Sequence, residues 1–414
     1  MATDVTTEIN PLAKATTTET RDGPTQPEVR FVNGMRLNMK HWLGVAAILI
    51  MVFSLTPWLW KKAERFETSP DYRIPYQLSK DYWLYERRLQ KLGANEIAII
   101  GDSVIWGEYV RPDGTLSHFL NKEAALPGNL LSGPRAATFA NAGVNGMFPL
   151  ALEGLVRYYG APLQHRKVLL HYNMLWMSSP KADLHTQKEE RFNHADLVPQ
   201  FRPRIPSYKA DLNHRLAAVV ERHFTFSEWA SHLQIAYFGQ KNLLAWTLEE
   251  DSSTPPHYPN ASKNPFAQIT LNVPTESSDD SERGPNSPRH KPWSTTGQGS
   301  TRFEWVELQQ SLQWAAFQRS VELLRARSND VFVLLGPFNE QIMTPENRGA
   351  YRQLRDGIVD WFSHSQVAFG APESLPSLLY ADASHPLTEG YRVLANGLYA
   401  DPAFRKWTEQ RAKD

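Results

Sequence analysis

The chain has 414 residues, with 44 Lys and Arg set against 44 Asp and Glu, and is long enough for one large elaborated domain or two ordinary ones. Zero net charge removes the basic surface that chain-wide nucleic-acid binding requires. The absence of cysteine excludes a disulfide framework, a thiolate zinc site, an iron–sulfur cluster and a thiol nucleophile.

Residues 1–40 are rich in Thr, Asn and charge, hold Pro11, Pro24 and Pro27, and read as a disordered tail. From Trp42 to Trp60 no residue is charged, and a helix rising about 1.5 Å per residue over that length nearly spans a hydrocarbon core of about 30 Å. Trp42, Trp58 and Trp60 stand where interfacial aromatics belong, with Lys40, His41, Lys61 and Lys62 outside them. No small-residue cleavage site follows, so 42–60 reads as a single-pass anchor in the lipid bilayer rather than a removed signal. Within about 20 residues of the run, three Lys or Arg precede it (Arg30, Arg36, Lys40) and five follow it (Lys61, Lys62, Arg65, Arg73, Lys80). This bias weakly favours a cytoplasmic domain, but long domains cross membranes largely irrespective of such charges.

Lys61–Lys80, with Pro70 and Pro75, reads as a tether, and Asp81–Leu92 has the apolar spacing of a helix that stops at Gly93. A β–α alternation follows. Short apolar runs at Glu96–Ile100, Ala136–Ala140, Lys167–His171 and Asp330–Leu335 predict buried parallel strands. Leu150–Tyr159, Asn347–Phe362 and Leu387–Tyr399 predict helices. The alternation predicts a three-layer α/β domain over 93–400, with its ligand crevice at the carboxyl ends of the strands. The gap between the third and fourth strands far exceeds one crossover, so an insertion is expected over about 180–300. Its first half predicts helices at Tyr208–His223 and Phe226–Phe238. Its second half, 251–300, is rich in Ser, Pro, Asn and Asp and is expected to be mobile. An amphipathic helix over Phe303–Arg327 leads back to the sheet.

The strongest chemical signal is Ile99-Ile100-Gly101-Asp102-Ser103, a serine directly after a predicted strand. A hydroxyl there opens onto the crevice, and a following helix start aims N–H groups at any anion that forms. A Gly-Asp-Ser tripeptide also occurs in ordinary turns, and Ser103 by itself reads equally well as a helix cap. No histidines fall three or four apart, and no His-Glu-x-x-His or phosphate-binding glycine loop is present. Ser178 and Lys181 match Ser-x-x-Lys, but Pro180 breaks the helix that this pairing needs. No cofactor or metal is expected.

Further residues extend the pattern. Gly101-Asp102-Ser103-Val104-Ile105-Trp106-Gly107, then Val110, Thr115 and Leu120, then Asn141-Ala142-Gly143-Val144-Asn145-Gly146, resemble the first two blocks of the SGNH (GDSL-like) hydrolase superfamily. Asn173 falls at that family's block-three asparagine, and Asp382-Ala383-Ser384-His385-Pro386 with Gly390 fits its terminal Asp-x-x-His block. The resemblance covers about 96–172 and 331–399 and implies a three-layer α/β/α sandwich on a parallel flavodoxin-like sheet. It implies Ser103 as nucleophile, His385 as base and Asp382 as the acid that orients the imidazole. It also implies an oxyanion hole from the Ser103 and Gly146 N–H groups and the Asn173 side chain. Block three departs from Gly-x-Asn-Asp, because His171, Tyr172 and Met174 surround the asparagine.

By this resemblance the chain is expected to be a membrane-anchored esterase or O-acyltransferase. Its expected substrates are acyl esters of envelope polysaccharide or glycolipid, on the outer, periplasmic side, and a membrane-bound O-acyltransferase is an implied partner. A lipid esterase and a non-catalytic envelope scaffold are the alternatives.

Overall fold

The computed structural model describes residues 38–126, 137–241, 265–275 and 291–410. The tail expected over 1–40 and the polar run expected to be mobile over 251–300 lie mostly outside these residues. Helix α1 spans Met39–Ala63 and is long and apolar enough to cross a membrane by length and composition. By its contacts the chain divides after Met51, and everything from Val52 onward belongs to the second unit.

In that unit α2 (Tyr82–Gln90), β1 (Glu96–Gly101), α3 (Ser103–Trp106), α4 (Leu116–Ala124), β2 (Thr138–Gly143), α5 (Pro149–Tyr159) and β3 (Lys167–Tyr172) come first. The insertion contributes α6 (Leu212–His223) and α7 (Thr225–Ala236). The chain then completes the domain with α8 (Leu312–Ala326), β4 (Asp330–Leu335), α9 (Pro345–His364), β5 (Ala368–Gly370), α10 (Thr388–Ala400) and α11 (Pro402–Glu409). The sheet is wholly parallel in the order β2-β1-β3-β4-β5. Its switch point lies between β1 and β3, where a doubly wound sheet opens its crevice.

The strands are continuous apolar runs because both faces are covered. Ala98, Ile100, Val168, Leu170 and Val333 enter a core shared with α2, α5, α8 and α9. Their chain neighbours Ile97, Ile99, Leu169, Phe332 and Leu334 enter a second core shared with α4, α10 and α11. The two-residue period of a strand thus builds three layers, an α/β/α sandwich.

The elements differ from the sequence reading in several places, and the helix expected over Tyr208–His223 starts only at Leu212, where Asp211 caps it. β2 lies two residues later than Ala136–Ala140, and β5 is an edge strand of three residues, too short for a periodic signal. The amphipathic run from Phe303 becomes helical only at Leu312. Ser311 caps the helix by accepting from the Trp314 N–H at 3.0 Å, and buried Asp183 of the insertion accepts from the Leu312 and Gln313 N–H groups at 3.0 and 3.2 Å. Before it the chain is drawn out between the turn after β3 and the loop before α9, with the Val306 N–H donating to Met177 O and the Thr301 N–H to Ile342 O.

Lys61–Lys80 is also not the free tether expected. Glu64, Tyr72, Arg73, Ile74 and Leu78 are buried. Arg88 of α2 donates to the carbonyls of Thr68 and Ser69 at 3.2 and 3.1 Å, pinning the segment to the domain.

Where α1 ends, a buried ionic cluster joins it to α2 and the insertion. His232 of α7 lies 2.7 Å from Asp81 Oδ2 through Nδ1 and 2.7 Å from Glu64 Oε1 through Nε2, and all three side chains are shut off from solvent. The Tyr237 hydroxyl donates to Glu64 at 2.6 Å, and Arg87 pairs with the same carboxylate. Burial pulls the His232 pKa down, but the Asp81 and Glu64 carboxylates outweigh it and raise it to about 9. A raised folded-state pKa adds stability that is complete below the unfolded value of about 6.5 and is lost as pH rises through the folded one. His232→Leu is expected to lower the unfolding free energy of the detergent-solubilised chain near neutral pH by about 3–5 kcal/mol. Chemical denaturation at a series of pH values checks this, and the variant loses the His232 share of the decline between pH 6.5 and 9.

Candidate active site

β1 ends at Gly101, Asp102 caps the next turn, and Ser103 is the first residue of α3. This helix is a single turn and survives because both ends are held. At its start the Asp102 carboxylate accepts from the Val104 N–H at 3.0 Å. At its end Gly107 takes the left-handed conformation at φ 88°, and the Arg73 guanidinium donates to Trp106 O and Gly107 O at 3.1 and 2.6 Å. Gly143 on β2 lets the helix lie close, since a Cβ there would stand 2.4 Å from the Trp106 nitrogen. Asn141 of β2 donates to Ile105 O at 2.9 Å.

His385 reaches the serine from the loop before α10. Its Nε2 is 2.8 Å from Ser103 Oγ, and its Nδ1 is 2.9 and 2.8 Å from the two oxygens of Asp382. Asp382 Oδ1 also accepts from the N–H groups of Ser384 and His385 at 2.9 Å each, so the loop cannot turn the carboxylate away. Ser103 and His385 are buried, and Asp382 is half-buried. Burial opposes charge on the imidazole, but the Asp382 carboxylate, with Asp102 and Glu108 beyond it, raises the His385 pKa to about 9. Burial likewise raises the Asp382 carboxyl, yet His385 and the two N–H groups hold it below its ordinary value.

Asn173 follows β3 and caps the turn Met174–Met177, with its Oδ1 accepting from the Leu175 N–H. Its Nδ2 donates to Asp102 Oδ2 at 2.8 Å, so one of its two amide hydrogens is committed to the carboxylate beside Ser103. Gly146 heads the turn after β2 at φ 72°, and a Cβ there would meet the Asn193 amide at 2.5 Å. The insertion braces this turn from behind. His194 lies with Nε2 2.8 Å from Asn145 O and Nδ1 2.9 Å from the Tyr82 hydroxyl. Burial lowers its pKa to about 4, so it is the neutral tautomer, donating to the carbonyl and accepting from tyrosine.

Of the residues singled out from the sequence, Ser103, His385 and Asp382 meet in one hydrogen-bonded chain, and Asn173 is tied to Asp102, the residue before Ser103. Gly146 lines a cavity of about 460 Å³ together with Phe148, Trp176, Leu184, Arg191 and Phe192. Phe148 packs edge-on against Phe192 and at a tilt against Trp176, with centroids 5.5 and 5.8 Å apart. Among the described residues no group of three or more His, Asp or Glu is placed to hold a metal ion.

The sequence reading did not assign roles to His171, Trp176 or Tyr109. Trp176 donates its indole N–H to Asp102 Oδ2 at 3.0 Å. Tyr109, at φ 62°, stands edge-on to His385 with centroids 5.4 Å apart. His171 lies with Nε2 3.0 Å from Gly336 O and Nδ1 3.1 Å from Asp102 Oδ1, a separation of an ion pair though not aligned as a hydrogen bond. Burial pushes the Asp102 carboxyl up, but His171, then His385 and the Asn173 amide, hold it at about 2. Asp102 is therefore a carboxylate at any working pH, and Asp102→Asn leaves its partners facing a neutral amide. The expected loss in unfolding free energy is about 3–5 kcal/mol, measured as a lower denaturation midpoint.

No family model matches the chain, and no curated protein sequence matches it either.

Proposed function

We propose that this chain is a membrane-anchored serine esterase or O-acyltransferase acting on acyl esters of envelope polysaccharide or glycolipid through an acyl-serine intermediate. One observation carries the reading: Ser103 Oγ lies 2.8 Å from His385 Nε2, whose other nitrogen lies 2.8 Å from Asp382 Oδ2. This is the geometry of an activated hydroxyl, its base and the group that fixes the base's tautomer. A scaffold has no need to hold three such residues in register from distant parts of the chain.

In this mechanism neutral His385 takes the Ser103 proton as Oγ attacks the ester carbonyl. The oxyanion is held by the Ser103 and Gly146 N–H groups and the free amide hydrogen of Asn173, where losing one donor costs about 3–4 kcal/mol at the transition state. Imidazolium His385 protonates the leaving alcohol as the C–O bond breaks, leaving acyl-Ser103. His385 then deprotonates water or a sugar hydroxyl, which attacks the acyl group, and the imidazolium returns that proton to Ser103 Oγ as the acyl–Oγ bond breaks. A lipid ester is the second reading, favoured by the aromatic walls of the cavity beside Gly146. The domain is assigned to the periplasmic side of a single-pass anchor, where a membrane-bound O-acyltransferase would supply acyl groups; both assignments rest on the family resemblance. The test incubates the full chain in detergent with acetyl, butyryl and long-chain esters, with and without an oligosaccharide acceptor, and follows acyl transfer by mass.

Ser103→Ala is expected to lower ester turnover by at least about four orders of magnitude while leaving circular dichroism and thermal midpoint unchanged. Turnover equal to wild type places the chemistry elsewhere. Because His385 must be neutral to act and its pKa is raised to about 9, kcat/KM rises with pH along a limb well above the ordinary histidine value. Asp382→Asn moves that limb to lower pH and lowers kcat about 10⁴-fold. A wild-type limb at or below pH of about 6.5 contradicts the assignment.

A further inference from the structure

Helix α6 presents large apolar side chains outward, where a surface helix of a water-soluble domain carries mainly polar ones. Its inward side packs Ala218 and half-buried Val219 and ties two arginines to the domain: Arg222 Nε donates to Asp196 O at 2.6 Å and its Nη2 to Val198 O at 2.6 Å, while Arg215 donates to Ala210 O at 2.9 Å and Tyr208 O at 3.0 Å. Its outward side carries Leu212, Leu216, Val220 and then Phe224, four residues apart, with 62%, 47%, 52% and 42% of their surface exposed. Leu212, Leu216 and Val220 share one helix face, Phe224 follows as the extended C-cap, and no acidic residue lies between Leu212 and Val220. Contiguous exposed apolar surface of this kind marks a contact with a partner or a membrane.

The neighbouring rings say which. Phe226 and Phe224 pack on Phe53 of α1 with centroids 4.5 and 6.0 Å apart, and Trp229 packs on Trp60 at 5.6 Å. Phe53 precedes Lys61 by eight residues in the same helix, or about 12 Å at about 1.5 Å per residue. Half a hydrocarbon core is about 15 Å. Lys62 caps the ring of Trp58 at 3.7 Å, an arrangement suited to the water–lipid boundary. A bilayer that holds α1 with Lys61 and Lys62 at its surface therefore also reaches the corner between α6 and α7.

We propose that the α6–α7 hairpin is a second membrane contact, with the Leu212, Leu216 and Val220 face of α6, and Phe224 after it, immersed in the acyl-chain region at the level of Phe53. The proposal rests on α1 spanning the membrane and is independent of the ester chemistry. The arginines that bond inward to carbonyls are what allow the helix to present its apolar face outward, as interfacial helices do. The insertion thereby fixes the domain's attitude to the bilayer, which a single helix leaves free to rotate.

The cysteine-free chain permits single spin labels at Leu216→Cys, Val220→Cys, Ile50→Cys and Lys406→Cys, all exposed positions. The full chain is reconstituted into vesicles of phosphatidylcholine and phosphatidylglycerol, and access to oxygen and to a water-soluble nickel chelate is compared. The expected result is an oxygen-to-nickel ratio several-fold higher at 216 and 220 than at 406, matching that at 50. A high ratio at 50 with ratios at 216 and 220 equal to that at 406 overturns the proposal and leaves the membrane span standing. A low ratio at 50 overturns the span and the proposal with it. Labels at 216 shielded from both reagents and broadened by a label on a second chain identify self-association and also overturn it.

Discussion

A carboxylate that water cannot reach must be neutralised by its protein neighbours, and at Asp102 this requirement organises the crevice. One oxygen accepts from the N–H that starts the nucleophile turn and faces His171; the other accepts from the Asn173 amide and the Trp176 indole. His171 in turn bonds Gly336 at the end of β4. A single buried charge thus draws together the carboxyl ends of β1, β3 and β4, and Asp102 becomes the fixed point to which the Asn173 amide is tied. Under the proposed function, such pre-set dipoles are the condition for stabilising developing charge without reorganising.

The fold was largely legible in the sequence because each strand buried on both faces is a short continuous apolar run, and each covering helix repeats at helical spacing. Ser103 was legible because it directly follows an apolar strand run, and Asp382 and His385 through the resemblance of their Asp-x-x-His block. What escaped has a common physical cause. Asp102 meets Asn173 and Trp176 across 71 and 74 residues, and Arg73 meets Trp106 across 33. Periodicity is blind to side chains that find one another only when strands pair. His171 looked like a departure from a pattern, and only the structure shows it facing a buried charge. The expected tether failed for a related reason: prolines and charges read as solvent-exposed, yet Arg73 and Arg88 are buried because backbone carbonyls receive them.

The insertion supports the domain at two places. At the crevice, Asn193 and His194 close against the turn that holds Gly146, and a neutral imidazole bridges that turn to Tyr82 of α2. At the same end of α2, its cap Asp81 shares His232 with Glu64. The first turn of α2 is therefore held by the insertion twice, through His194 and through His232, which ties this segment to the turn that carries Gly146. The aromatic walls of the cavity come from both partners, Phe148 and Trp176 from the domain and Phe192 from the insertion.

Arg73 has a consequence for where the α/β domain begins. Its guanidinium closes the last turn of α3 and lies 4.0 Å over the Trp106 ring. The strand pattern would set the start of the domain near Gly93, yet a polypeptide cut there loses the cation that finishes the Ser103 helix and uncovers the indole beneath it. Glu64, the residue directly after α1, is already buried in the same body, so no free linker separates that apolar helix from the domain that carries Ser103.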